Sequence, residues 1–325
     1  MARLPPELAE MIIGYLSFRR RINACRVSRE WGAFIRSCPD LWRHLDFSEA
    51  KNPVRNAFVS RAINAGKSNI KIASLHRMQD VNKTLSALFS FCQLEELNML
   101  GTGFLGEGFL NHFNSSSKTL SLKILRFCNG TEMGKDVMMR LLPWCLPSLS
   151  VFECTGPEFS GSGLSEYLQG AVCTKLQEVK LHSYPRWSFK DLANAIPAVR
   201  KLHVSQYSIP RGKVDLRGLQ CLEDLTIITD VGHNVEILLP RTLRSLSYHQ
   251  LDNGVTAPEW FSSGGPAERL GSSYLPKLQS LQYEVGFCDL AQVLRFLSPT
   301  REDVRQQTQR IAGSFAGKKL TQDTV

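Results

Sequence analysis

At 325 residues, with 43% apolar and 21% charged residues, the chain has room for roughly two globular domains of ordinary soluble composition. No run approaches the ~18 apolar residues a membrane-spanning helix needs, and Met1–Pro6 has no apolar leader, so a protein of the cytoplasm and/or nucleus is expected, with no membrane partner. The net charge of +9 is spread thinly: residues 1–50 carry eight basic and six acidic groups, and residues 231–300 carry five and six, so nucleic acid is not the expected partner.

In chain order, Pro5 and Pro6 open a helix, because the first turn does not need their missing N–H groups. Leu8, Ile12 and Leu16 recur every four residues and mark an apolar face that Met11 and Ile13 widen. A second helix is expected over about 19–25 and a third over about 27–37, with Val27, Trp31 and Phe34/Ile35 on one side and Pro39 as its stop. Leu41-Trp42 and Leu45-Asp46-Phe47 close the segment, and Leu45-x-Phe47 also reads as the first strand of the larger body of the chain. Three short helices in under 50 residues cannot enclose a core alone. Their apolar surface caps a larger core or docks on a partner, and periodicity alone leaves both open.

From there a unit recurs. Leu94-x-x-Leu97-x-Met99, Leu122-x-x-Leu125-x-Phe127, Leu149-x-x-Phe152-x-Cys154 and Leu176-x-x-Val179-x-Leu181 are its clearest copies. Val199-x-x-Leu202-x-Val204, Leu222-x-x-Leu225-x-Ile227, Leu243-x-x-Leu246-x-Tyr248 and Leu278-x-x-Leu281-x-Tyr283 continue it, and Ile70-x-Ile72 extends it less clearly. Each unit predicts a short strand with alternate residues pointing inward, followed in places by a helix, as over 136–142, 164–168 and 189–196. A Gly/Ser/Pro-rich loop is expected over 253–271, and a frayed helix over about 301–312 in a polar tail. A non-repeating α/β domain is the alternative.

Two resemblances attach to these residues. The Leu4-Pro5-Pro6-Glu7-Leu8 opening, the aliphatics of the first helix, Val27-Ser28-x-x-Trp31 and the closing Leu41-Trp42 together resemble an F-box over about residues 4–47. The resemblance implies docking onto a Skp-family adaptor, and through it a cullin–RING ligase, by Leu4, Pro5, Leu8, Ile12, Ile13, Leu16, Val27 and Trp31, with some of these, Trp31 first, serving internal packing instead. Arg19-Arg20-Arg21 stand where the family shows a Pro and a Leu-rich turn. They weaken docking or pair with an acidic adaptor surface. The recurring unit resembles leucine-rich repeats, whose period is ~20–29 residues. The fold expected is α/β: a three-helix F-box (1–48), an irregular leucine-rich-repeat solenoid of parallel strands with outer helices (49–298), and a polar tail (299–325).

Chemistry is sparse. Gly101-Thr-Gly103-Phe-Leu-Gly106 has the dinucleotide-binding spacing, but the next strand ends without the acidic residue a ribose needs, so a repeat turn is the better reading. Nine scattered cysteines with no Cys-x-x-Cys pair suit reduced, buried thiols. No cofactor or metal is implied. The residues alternating with the inward ones, among them Arg126, Glu178, Lys180, His182, Lys201, His203, Asp224 and His249, form the candidate face for an unidentified protein substrate. His182 and His203 fall on neighbouring strands, where acid–base work is conceivable and a polar binding surface is the plainer reading. The function expected is the non-catalytic substrate receptor of an SCF-type (Skp–cullin–F-box) ubiquitin ligase, delivering a target for ubiquitination and degradation. The alternative is an F-box/leucine-rich-repeat scaffold without ligase function.

Overall fold

The computed structural model describes residues 4–48, 50, 52–102, 120–128, 141–156, 173–183, 192–208, 212–231, 235–250 and 277–285. Three helices open the chain: α1 (Pro6–Gly14), α2 (Phe18–Ala24) and α3 (Arg29–Ser37). Proline occupies the start of α1. Ser28 caps α3, its Oγ accepting a hydrogen bond from the Trp31 amide at 3.1 Å. Pro39 ends the helix and begins a 3-10 turn, Pro39–Trp42.

Ten strands then pair in chain order into one sheet: β1 (His44–Asp46), β2 (Ile72–His76), β3 (Glu96–Gly101), β4 (Ile124–Cys128), β5 (Val151–Gly156), β6 (Glu178–Ser183), β7 (Lys201–Ser208), β9 (Asp224–Val231), β11 (Ser245–Gln250) and β12 (Ser280–Val285). All nine pairings are parallel. Parallel neighbours require a crossover. The first two crossovers carry α4 (Asn56–Gly66) and α5 (Val81–Phe91). Later ones carry a helical segment at 141–145 and the single turn Leu192–Ala195. The crossovers either side of β9 hold β8 (Gly212–Asp215) and β10 (Val235–Leu238), which pair with each other.

One backbone device repeats at every junction. The carbonyl of the residue before each strand accepts two amides from the next unit, as when Arg43 O receives Lys71 N at 2.9 Å and Ile72 N at 3.0 Å. The same pair of bonds recurs at Lys71, Glu95, Lys123, Ser150, Gln177, Arg200, Glu223 and Arg244. These bonds fix the phase of the repeat. The position one residue earlier is occupied by Trp42, Ile70, Leu94, Leu122, Leu149, Leu176, Val199, Leu222 and Leu243, all buried. Leu45, Ala73, Leu97, Leu125, Phe152, Val179, Leu202, Leu225 and Leu246 occupy the next inward position, all buried. Trp42 is thus the first core residue of the first unit as well as the end of the helical segment.

The phase corrects one expectation. Ile70-x-Ile72 is not the strand motif: Ile70, Ala73 and Leu75 point inward, while Ile72 lies on the outer face. The strands β8 and β10 were not expected from sequence. Their crossovers belong to the shortest units, where a strand covers the distance a full helix would not. The expected helix over 164–168, the loop over 253–271 and the tail helix lie outside the described residues, as does most of the helix over 136–142.

The helical segment and the sheet share one core. The Phe18 ring meets Trp42, Phe47 and Phe58 edge-on at 6.3, 5.3 and 6.5 Å between centroids. Trp42 donates its indole N–H to Ile35 O at 2.7 Å. The end of α4 comes so close that a Cβ on Gly66 would lie 2.7 Å from Ile70 Cγ1 and 3.2 Å from Trp42 Cβ, so only glycine fits there. Replacing Trp42 with alanine is expected to cost about 3–5 kcal/mol in urea unfolding. Tyr15→Ala, at an exposed position, should stay within about 0.5 kcal/mol of wild type. Equal losses in the two variants would contradict the shared core.

Candidate partner-binding surfaces

Helix α1 is apolar on two sides. Ala9 and Ile13 are buried, and Leu16 just beyond the helix packs partly against the same core. Leu8, Met11, Ile12 and Tyr15, spaced i, i+3, i+4, i+7, point the other way and are all exposed. The neighbours Ile12 and Ile13 are 53% and 1% exposed, and Tyr15 is 86% exposed. Leu4 and Val27, the latter 73% exposed, add further apolar surface on the same helical segment. A single isoleucine in water needs no explanation, whereas a row of four along one helix marks a binding face.

The arginine run divides. Arg19 and Arg20 are exposed. Arg21 turns inward, donates from its guanidinium to Leu41 O and lies 5.7 Å from the Phe18 ring centroid. Burial pushes its pKa down, with Asp46 acting in the opposite sense. Arg21 therefore ties α2 to the 3-10 turn rather than presenting a charge to a partner.

The second surface is the outer face of the sheet. Strand alternation places Arg126, Glu153, Lys180, His203, Thr226 and Ser247 in one lateral row. The next row holds Cys128, Thr155, His182, Ser205, Ile228 and His249. Every histidine among the described residues, His44, His76, His182, His203 and His249, lies on this face. Arg126 Nε sits 3.3 Å from Glu153 Oε2, and His182 Nε2 lies 3.8 Å from Glu153 Oε1. Lys180 Nζ pairs with Glu178 Oε1 at 2.8 Å. The His182 and His203 rings are 4.8 Å apart between centroids, and His249 Nε2 lies 2.6 Å from Ser247 Oγ.

Burial pushes His203 down to about 4, helped by His182, Lys180 and His249. Burial also lowers His182, outweighing Glu153. Both rings are therefore neutral at neutral pH, and the two histidines form no charged acid–base pair. Burial raises the thiols of Cys128 on this face and of Cys145 and Cys154 inside, so none is a ready nucleophile. Among the described residues no group of three or more His, Cys, Asp or Glu side chains is arranged to hold a metal ion.

Residues 1–48 match the F-box-like family model. The helical segment that carries the exposed row of α1 is an F-box-like domain. Of the adaptor contacts expected from sequence, Leu4, Pro5, Leu8, Ile12 and Val27 are exposed on it. Ile13 is not: it is enclosed in the core, one helical step from Ile12. Leu16 and Trp31 are partly buried against that core. Met11 was placed on the apolar face with Leu8 and Ile12 but left out of the expected contacts, and Tyr15 was missed as a member of the outward row, although its spacing from Leu8 and Ile12 was readable. On the sheet, Arg126, Lys180 and His203 fall in one lateral row and His182 and His249 in the next, with the His182 and His203 rings in contact, while Glu178, Lys201 and Asp224 line the strand starts beside them. Glu153, which alternation also places on this face, is the carboxylate on which Arg126 and His182 converge.

The depressed His203 has a stability consequence. An unfolded histidine takes up its proton near 6.5, before the folded one does. The stability this neutral ring contributes is complete above that pH and is lost as the pH falls toward about 4. Thermal melts should fall between pH 7 and pH 5 in wild type and fall less in His203→Gln. Equal losses would contradict the assigned protonation state.

Proposed function

We propose that this chain is the substrate receptor of an SCF-type ubiquitin ligase, its F-box-like domain docked on a Skp-family adaptor and the outer sheet face holding the target. The observation that carries the reading is the two-sided helix α1, whose outward row Leu8, Met11, Ile12 and Tyr15 lies within a domain matching the F-box-like family. The body is read as an irregular leucine-rich-repeat solenoid. Ten parallel strands in chain order, one inward phase and junctions recurring every 21 to 35 residues support that reading. The chain's contribution is positional: holding a target beside a ubiquitin-charged enzyme raises its effective concentration, and no side chain of the receptor takes part in bond making. Ubiquitination of that target then leads to its degradation.

Co-expression with the adaptor tests the reading. Wild type should co-purify with it, and a Leu8→Asp/Ile12→Asp variant should lose affinity by about a hundredfold or more, because two carboxylates are driven into an apolar contact. Both side chains are exposed, so the variant should melt with wild type. An adaptor that ignores the wild-type chain, or that binds the variant equally well, overturns the proposal.

A further inference from the structure

Among the described residues of the outer face, one buried side-chain nitrogen is left unsatisfied by the chain itself. His203 Nε2 is buried and has no hydrogen-bond partner. A buried polar atom left in this condition is destabilising. Its surroundings are one-sided. On β6, Lys180 is the cation that acts on the ring, while His182 on β6 and His249 on β11 add positive charge only when protonated. The carboxylates nearby are already engaged: Glu153 on β5 with Arg126 of β4, and Glu178 on β6 with Lys180. Asp224 on β9 lies in register with Lys201 of β7, at the start of the strand and away from the ring's row. Beside His203 the row continues in hydroxyls, Thr226 and Ser247, with Ser205 in the row beyond.

We propose that this spot is a receptor for one carboxylate, the Asp or Glu side chain of an acidic target segment lying across β6, β7 and β9. The inference deepens the substrate-receptor reading and rests on its assignment of the outer face to the target. A carboxylate placed here accepts the His203 Nε2–H, gains the attraction of Lys180 and takes hydroxyl donors from Thr226 or Ser205. It supplies the negative charge that every neighbour of the ring lacks. A phosphate group fits less well. A dianion gains most from a guanidinium fork, and here Arg126 is held by Glu153, leaving Lys180, itself paired with Glu178, as the cation beside the ring. Docking also stabilises protonated His203, so the bound state holds more protons and affinity rises as the pH is lowered from neutral.

A displayed random-peptide library panned on the immobilised full chain tests the proposal. Selected peptides should share an Asp or Glu at one position, and changing it to Asn or Gln should weaken binding about tenfold or more, the size of one charge-assisted hydrogen bond. That loss should vanish against His203→Leu, shrink against Lys180→Gln and persist against Lys123→Gln, which lies outside the site. His203→Gln, whose amide still donates, should retain part of the preference, and a melt at neutral pH confirms that each variant folds. Four results overturn the proposal: no peptide recovered, peptides without a shared carboxylate, acidic peptides that bind His203→Leu equally, or binding that requires a phosphorylated residue. Adaptor capture is scored on the same preparations. Its failure alone sinks the ligase reading and leaves the peptide result standing, because peptides are read on the chain itself.

Discussion

Everything in this molecule hangs on Trp42. It ends the F-box-like domain and fills the first core position of the first repeat, the position that leucine, isoleucine or valine takes in the units after it. Its indole N–H is spent on Ile35 O, its ring lies edge-on to Phe18, and α4 closes over it at Gly66. The Arg21 guanidinium holds the adjoining Leu41 carbonyl. A three-helix segment too small for its own core thereby borrows that of the sheet. The outward row of α1 is consequently held by a packed interior and not by a linker. The exposed row of α1 and the outer face of the sheet then keep a fixed relation, which the proposed receptor role would use.

The parts of this architecture legible in the sequence are those set by periodicity. The Leu-x-x-Leu-x-Leu spacing gave seven strands their buried inward residues, because a buried parallel sheet tolerates few polar side chains on its inner face. The pattern misled where an apolar residue falls on the outer face. Ile72 looks like a core position and is not; Ala73, small enough to be overlooked, takes it. In α1, Ile12 and Ile13 are chemically identical, and only the surrounding helices decide which is enclosed. The strands β8 and β10 escaped because Gly212–Asp215 and Val235–Leu238 are four residues each, too short to show an alternation. Arg21 escaped for a different reason: its role depends on a carbonyl acceptor twenty residues away, which no local pattern reports.

The outer face was legible as a set of residues and not as a site. Alternation named its members, but the lateral register decides that Arg126 meets Glu153, that Glu153 also approaches His182, and that His203 is left beside Lys180 with its Nε2 unpartnered. Registration depends on crossover lengths that vary from unit to unit. The same geometry explains why the two histidines are poor acid–base chemistry. Partial burial between neighbouring strands withholds the proton from both at neutral pH.

Native-state hydrogen exchange on the full chain tests the shared core most directly. If Trp42 joins the F-box-like helices to the sheet, amides of α1 and α3 exchange in the same cooperative opening as those of β1 to β4, with a common dependence on denaturant. Exchange of the three helices through an opening of their own, while the sheet stays fully protected, would contradict the account.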